Sequence, residues 1–323
     1  MLFPAGQRSF RPTECLHEPD SSPLTGRPWP WLLHAIAIGA EPGKVPPTAA
    51  APGKGNTSEL AATNAQRAVL ETPGIAAFWD FREDPGNKRI SLAPGAHAME
   101  EMAGPVAREA DGPFGTALHI KSGQWLRIPR DQLGSLNIHG PRAQVTVMAW
   151  VRRERPHAWQ AIAGVWDESR KKRQYCLFLN AASRTDHRTM KRKPSKDLFQ
   201  GHVSSVGGPT PGEEFCITYA SSGSVVAMEG WHCLTLTYDA REVRLYLDGR
   251  FDASEGSNPF PYAEVSLTAG RAVPSSPSAA CRCAAGRGTS SAVAGSLAVF
   301  QRALSAEEIA ALHTATALTK APE

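Results

Sequence analysis

Residues 231–249, with the sequence WHCLTLTYDAREVRLYLDG, decide the fold of this chain. Apolar side chains occupy every second position on either side of the polar tetrad 239–242. They are Leu234, Leu236 and Tyr238 before the tetrad, and Val243, Leu245 and Leu247 after it. A period of two predicts half-buried strands, and the tetrad predicts the turn that joins them. Such a hairpin has one apolar face, which a second sheet must cover, so we expect a two-sheet sandwich.

Three stretches of the chain carry a family resemblance. The run 231–249 is similar to the central hairpin of laminin-G-like domains, in the concanavalin A-like lectin/glucanase superfamily. The run GSLAVFQRALSAEEI at 295–309 resembles their last strand and short helix, and IAAFWDF at 75–81 resembles their first strand. The resemblance implies an all-β jelly-roll sandwich of two antiparallel sheets with a short C-terminal helix, over residues 73–318. It does not by itself imply a ligand, because such folds host many functions.

Residues 1–72 are interpreted as a leader to this domain, and residues 319–323 as a tail. The leader begins rich in Pro and Gly, which predicts disorder, and becomes weakly helical at 58–71. Residues 27–40 hold an apolar piece that would suit a secretory signal, although it starts late and contains Pro30. We therefore expect a secreted or cell-envelope protein, with a cytoplasmic location left open. No transmembrane helix is expected, since no run of 18 apolar residues occurs.

Composition excludes few classes of function. The 323 residues allow one large domain with a leader, and a net charge of +4 gives no global preference for a polyanion. Six cysteines are too few for a disulfide framework in a chain of this length. Cys281 and Cys283 have no second pair or nearby histidine at ligand spacing, so a zinc-thiolate site is not indicated.

No catalytic residues are predicted. Retaining glycosidases need two carboxylates about 5 Å apart, and the related glucanases place them in a Glu-x-Asp-x-x-Glu pattern on a strand. That pattern does not occur in this sequence. Asp80 and Asp84 have a suitable spacing, but the residues between them do not fit the motif. A degenerate glycoside hydrolase therefore stays only as an alternative.

A calcium site is the stronger expectation among cofactors, because the resemblance implies ion binding at a rim of the sandwich. Ca²⁺ takes several oxygen ligands, and four rim aspartates are candidates. They are Asp80, Asp167, Asp239 and Asp248. The alternative for the last two is that their side chains shape turns through hydrogen bonds to the backbone.

The most basic part of the domain lies between residues 152 and 196. Its clustered members are Arg170, Lys171, Lys172, Arg173, Lys191, Arg192 and Lys193. Such a cluster can bind sulfate or carboxylate groups of an acidic glycan. The alternative is a solvated loop that keeps a sheet edge soluble. Aromatic residues for base stacking are not interleaved with these charges, so nucleic acid is an unlikely partner.

The sequence thus predicts a non-catalytic recognition module that binds carbohydrate on a cell surface or matrix. Its expected partners are a glycan or a surface protein. The alternative class is a structural or protein–protein interaction domain. Trp125, Trp159 and Trp166 are candidate sugar platforms, but packing in the core explains each of them equally, and the sequence does not select a site.

Overall fold

The computed structural model describes residues 57–156, 159–167, 170–180, 184–186, 191–193, 198–210, 216–217, 219–228, 230–262, 281–284 and 292–317. For residues 57–62, 184–186, 191–193 and 281–284 it describes the backbone alone. The predicted disordered part of the leader, the signal candidate at 27–40 and the tail at 319–323 lie outside the described residues.

The described chain consists of strands with one helix near each end. The strands are β1 (Ile75–Trp79), β2 (Arg89–Ile90), β3 (Ala98–Met102), β4 (Ala107–Glu109), β5 (Ala117–Ile120), β6 (Trp125–Ile128), β7 (Val145–Arg153), β8 (Gln160–Asp167), β9 (Lys172–Asn180), β10 (Arg184–Asp186), β11 (Lys191–Lys193), β12 (Leu198–Val203), β13 (Tyr219–Ser221), β14 (Trp231–Tyr238), β15 (Glu242–Leu247), β16 (Arg250–Phe251), β17 (Phe260–Pro261), β18 (Cys281–Ala284) and β19 (Ala292–Phe300). The helices are α1 (Thr57–Glu71) and α2 (Ala306–Thr316), and two 3₁₀ turns span Arg130–Gln132 and Gly134–Leu136.

Two antiparallel sheets form the sandwich. The first has the order β16-β15-β14-β7-β19-β5-β4, with β1 pairing β19 and β17 pairing β15. The second has the order β13-β12-β9-β8-β18-β6-β3-β2, and β10 and β11 form a separate hairpin. The predicted sandwich with a short C-terminal helix is confirmed.

The central hairpin is built as the alternation predicts. β14 and β15 pair in a register that sets Leu234 opposite Leu247 and Leu236 opposite Leu245. Leu234, Leu236, Val243 and Leu245 are fully buried in the core between the sheets, while Leu247 is half-buried against it. The apolar face of this hairpin therefore anchors the first sheet to the second.

Both helices cover the outer face of the first sheet. Ala65 and Val69 of α1 and Ile309 and Leu312 of α2 pack with Trp150 in a second apolar cluster. The Ser305 hydroxyl accepts a hydrogen bond from the Glu308 N–H, and the Glu308 side chain accepts from the Ser305 N–H. This capping box fixes where α2 begins, as the sequence predicts.

Candidate ligand-binding groove beside the central hairpin

A groove of about 740 Å³ lies between the end of the central hairpin and α2. Its lining consists of Ser224, Leu247, Asp248, Gly249, Arg250, Phe251, Asp252, Ala310, His313 and Thr314. This volume is within the range of small-ligand sites, roughly 300–1,000 Å³. The lining mixes one aromatic ring with charged and hydroxyl side chains, so it offers both apolar contact and hydrogen bonding.

Asp248 connects the elements that line the groove. It has a φ of 49° in the turn after β15, a conformation that Asp tolerates better than most residues. Its Oδ1 accepts from the Cys233 N–H at 2.8 Å, and its Oδ2 accepts from His232 Nδ1 at 2.8 Å. His313 Nε2 of α2 lies 4.0 Å from Oδ1. One carboxylate thus joins the start of β14, the end of β15 and the helix.

The electrostatics of Asp248 favour the ionised form. Burial alone would raise the pKa of its carboxyl. The hydrogen bonds from His232 and Cys233, with the charges of His232 and His313, outweigh burial and lower this pKa. Asp248 is therefore a permanent anion near neutral pH and not a proton donor.

Asp252 is the second carboxylate of the groove, and it is also engaged. Its Oδ2 accepts from the N–H groups of Gly223 and Ser224 at 3.0 Å each. Its Oδ1 accepts from the Ser224 hydroxyl at 2.7 Å. Asp252 therefore fastens the loop before β14 to the end of the hairpin.

Phe251 supplies the aromatic surface of the groove. It is 41% exposed, which is high for so large an apolar side chain. Its ring meets the buried ring of Tyr246 at 5.6 Å between centroids in an edge-on geometry. Tyr246 therefore packs against Phe251, which remains partly exposed in the groove.

A second aromatic cluster lies on the outer face of the second sheet. His202 is at its centre, within 6 Å of the rings of Trp159, Trp166, Phe178 and Tyr219. Trp166, Phe178 and His202 are each at most 8% exposed. Two of the three predicted sugar platforms are therefore packed with other rings, and the third, Trp125, is half-buried at the start of β6.

The four aspartates predicted as calcium ligands each form hydrogen bonds or ion pairs with different partners. Asp80 is bonded to Gln66 and lies 3.1 Å from Arg82. Asp167 binds Arg170, and Asp239 accepts from two N–H groups of its own turn. Among the residues that the structure describes, the aspartates do not meet in a group of three or more ligand atoms. Turn shaping thus accounts for Asp239, whereas Asp248 bonds across the hairpin to His232 and Cys233, and calcium binding stays a prediction.

The basic residues of the predicted patch divide between the two ends of β9. Arg170 and Lys171 are exposed before the strand and Lys172 is half-buried at its start. Arg173 is a correction: it is 3% exposed and its guanidinium lies 5.7 Å from the ring centroid of Trp166. A buried side chain of this kind does not contribute to a surface patch.

The second half of the patch, Lys191–Lys193, is strand β11 of the small hairpin. This hairpin enters from the far end of β9, where Asn180 pairs with Leu198. A single patch for an acidic glycan, without Arg173, stays a prediction.

Phe251 and His313 are among the groove residues that the sequence did not predict. Phe251 directly follows the turn that ends the hairpin, but nothing in its neighbours marks it as exposed. His313 lies on α2, whose apolar spacing predicts only that the helix packs on the sandwich. The helix approaches the hairpin closely at Gly249, because a Cβ there would lie 2.7 Å from the Cβ of His313.

The architecture is a two-sheet antiparallel β-sandwich with both helices on one outer face. A family model described as the concanavalin A-like lectin/glucanases superfamily matches residues 121–310. The chain belongs to this superfamily. No curated protein matches it.

Several solved structures resemble the chain at low identity. One is a structure named "Cell entry of botulinum neurotoxin type C is dependent upon interaction with two ganglioside molecules". It is 10% identical to this chain with a TM-score of 0.48, and the match covers 79% of this chain and 53% of that chain. The binding domain of botulinum neurotoxin DC with SialylT has 8% identity and a TM-score of 0.49, covering 76% and 52%. Domain 4 of AbnA, a GH43 extracellular arabinanase from Geobacillus stearothermophilus, in complex with arabinotriose, has 13% identity and a TM-score of 0.46, covering 74% and 98%. The chain spans about half the length of the toxin structures. These likenesses concern the fold alone.

Proposed function

We propose that the chain is a non-catalytic recognition module that binds carbohydrate in the groove beside the central hairpin. The observation that carries the proposal is the partly exposed Phe251 in a groove that most of its other lining residues supply with hydrogen-bonding side chains. A sugar presents an apolar C–H face and a rim of hydroxyls. An aromatic platform surrounded by polar side chains is complementary to both.

The polar lining of the groove offers both hydrogen-bond donors and hydrogen-bond acceptors. Arg250 is exposed beside Phe251 and carries a guanidinium that only donates. His313 and Thr314 approach from α2. The Thr314 hydroxyl donates to the Ala310 carbonyl at 2.8 Å, so its oxygen lone pairs are directed elsewhere and can accept. Hydroxyl groups of a sugar serve as partners for all three.

The state of the two carboxylates supports binding without catalysis. A glycosidase needs a carboxylic acid with a raised pKa and a second carboxylate free to attack or to activate water. The pKa of Asp248 is lowered, and both of its oxygens accept hydrogen bonds. Asp252 is likewise bonded through both oxygens to Gly223 and Ser224. We therefore propose no hydrolysis in this groove.

Carbohydrate recognition of this kind suits a secreted or surface-displayed protein whose partner is a cell-surface or matrix glycan. Membership of the lectin/glucanase superfamily supports the class of ligand and not its identity. In the parts of the chain described by the structure, no helix is long and apolar enough to cross a membrane.

The test is a glycan array with the full chain, followed by calorimetry with the glycan that is retained. Phe251→Ala should weaken binding at least tenfold, which is about 1.4 kcal/mol. Leu92→Ala is the matched control, because Leu92 is 47% exposed and does not line the groove. Array retention that survives Phe251→Ala unchanged would contradict the proposed site. An array that retains nothing would contradict the proposed ligand class.

A protein partner is the second candidate, and Val225 favours it. Val225 is 58% exposed and follows Ser224, which lines the groove. A protein contact would extend over this apolar residue, whereas a sugar seated on Phe251 would not need it. Val225→Ala therefore separates the two functions: a loss of binding equal to that of Phe251→Ala indicates the protein partner.

A further inference from the structure

A cluster of metal-ligating side chains lies on the first sheet, away from the groove. Glu109 ends β4, His119 lies in β5, and Glu154 directly follows β7. Ala107 of β4 pairs with His119, so Glu109 and His119, two positions apart, share one face of the sheet. β19 lies between β5 and β7 and brings Glu154 to the same end of the sheet.

The three side chains converge. His119 Nδ1 lies 3.0 Å from Glu109 Oε1, and His119 Nε2 lies 3.1 Å from Glu154 Oε2. One ligand atom from each residue lies within 4.8 Å of the other two. Ligands about 2.0–2.2 Å from a zinc ion are themselves about 3.4 Å apart. His119 offers an ion only one of its two ring nitrogens, so the glutamate on the other nitrogen must turn away from it to complete the group around the ion.

The burial of the cluster suits a metal site. The side chains of all three residues are between 26% and 29% exposed, so they are partly desolvated but reachable. A cavity of about 470 Å³ lined by Glu154 and its neighbours Arg152, Arg153 and Arg155 adjoins the cluster. Water that completes the coordination of an ion can enter from this side, whereas the three guanidinium groups of the lining oppose the approach of the ion itself.

The chemistry of the ligands selects the class of metal. An imidazole nitrogen with two carboxylates matches first-row transition-metal dications, whereas Ca²⁺ needs six or more oxygens. Arg152 competes with an ion for Glu109, because its Nη2 donates a hydrogen bond to Glu109 Oε2 at 2.5 Å. It also donates from Nη1 to Asp111 at 2.8 Å, so a carboxylate remains to hold it when Glu109 turns to an ion.

We propose that Glu109, His119 and Glu154 bind a first-row transition-metal dication of which Zn²⁺ is the probe. The ion links the edge strand β4 to β5 and to the end of β7. Those strands are also joined by the hydrogen bonds of the sheet, by the ion pair of Arg152 with Glu109 and by the contacts of His119 with both glutamates. Binding to the folded state alone raises its stability by mass action, so this metal acts as a clamp on an exposed sheet edge. The inference is independent of the glycan groove.

The experiment is titration of the metal-free full chain with Zn²⁺ by calorimetry, and with Co²⁺ by absorption. We expect one Zn²⁺ per chain, a thermal midpoint that rises with Zn²⁺, and a Co²⁺ spectrum without thiolate charge transfer. His119→Ala and the isosteric Glu154→Gln should each weaken Zn²⁺ binding at least tenfold. His139→Ala is the control, since His139 is an exposed histidine away from the cluster.

Two outcomes overturn the proposal. One is Zn²⁺ affinity that stays the same in Glu154→Gln, in protein whose circular dichroism spectrum matches wild type. The other is a wild-type chain that binds no Zn²⁺, or binds Co²⁺ with thiolate bands. In either case the cluster is an ion-paired histidine bridging two glutamates.

Discussion

Replacing Asp248 tests the structural basis of the groove most directly. Asp248→Ala removes the acceptor for the buried Cys233 N–H and the partner of His232. It also leaves a residue with poor left-handed preference at a φ of 49°. Asp248→Asn retains an acceptor for Cys233 and the tolerance for this φ but removes the charge. The two variants separate the charge from the geometry.

The magnitudes follow from these contacts. A hydrogen bond between a charged group and a buried N–H contributes about 1.5–3 kcal/mol. The His232 contact is partly exposed and adds about 1 kcal/mol or less. We expect Asp248→Ala to lower the free energy of unfolding by about 2–4 kcal/mol, and Asp248→Asn by about 1 kcal/mol. Asp84→Ala is the control and should stay within about 0.5 kcal/mol, because Asp84 is 76% exposed.

The effect of the charge has a defined pH dependence. The pKa of Asp248 is lowered in the folded state, so its ionised form stabilises the protein above the unfolded pKa of about 3.9. That stabilisation is lost as the pH falls through the folded pKa. The difference between wild type and Asp248→Asn should therefore shrink below about pH 4. Urea unfolding at pH 7 and under acid conditions measures it. An Asp248→Ala variant as stable as wild type at pH 7 would refute the role assigned to this residue.

Two further changes test the fold. The Ser305 hydroxyl caps α2 by accepting a hydrogen bond from the Glu308 N–H. Ser305→Ala removes this cap and should lower the free energy of unfolding in urea by about 0.5–2 kcal/mol, while Ser305→Thr should be nearly neutral. Gly201→Ala places a Cβ 2.6 Å from a methyl carbon of Leu236 and should cost about 1–3 kcal/mol by thermal unfolding. Its control is Gly208→Ala, whose Cβ would approach no atom closer than 3.9 Å. Equal stability of the two glycine variants would contradict the tight contact between the sheets.

The central hairpin and the last helix could be predicted because their information is local. The alternation of residues 231–249 fixes which side chains face the core, and the Ser305–Glu308 pair fixes the start of α2. The turn chemistry considered for Asp239 is local in the same way. The helix observed over Thr57–Glu71 matches a helix-permissive stretch, but its packing through Val69 could not be seen in its own sequence.

The sites depend on contacts that no local pattern encodes. Glu109, His119 and Glu154 are brought together by strands that pair through β19, whose residues begin at Ala292. The burial of Arg173 depends on the same kind of contact, because its guanidinium packs on Trp166 of the neighbouring strand β8, with which Arg173 pairs.

The position of strand β19 has a consequence for folding during synthesis. It is the common neighbour of β1, β5 and β7, so Trp79 can pair only after Leu297 has been synthesised, and Met148 can pair with this strand only after Ala298 has been synthesised. A ribosome must therefore deliver almost the whole domain before the first sheet can close. Until then β1 and β7 each leave an edge unpaired, a state prone to aggregation. The large sequence separation of these pairs also predicts slow folding, on the scale of milliseconds to seconds or longer.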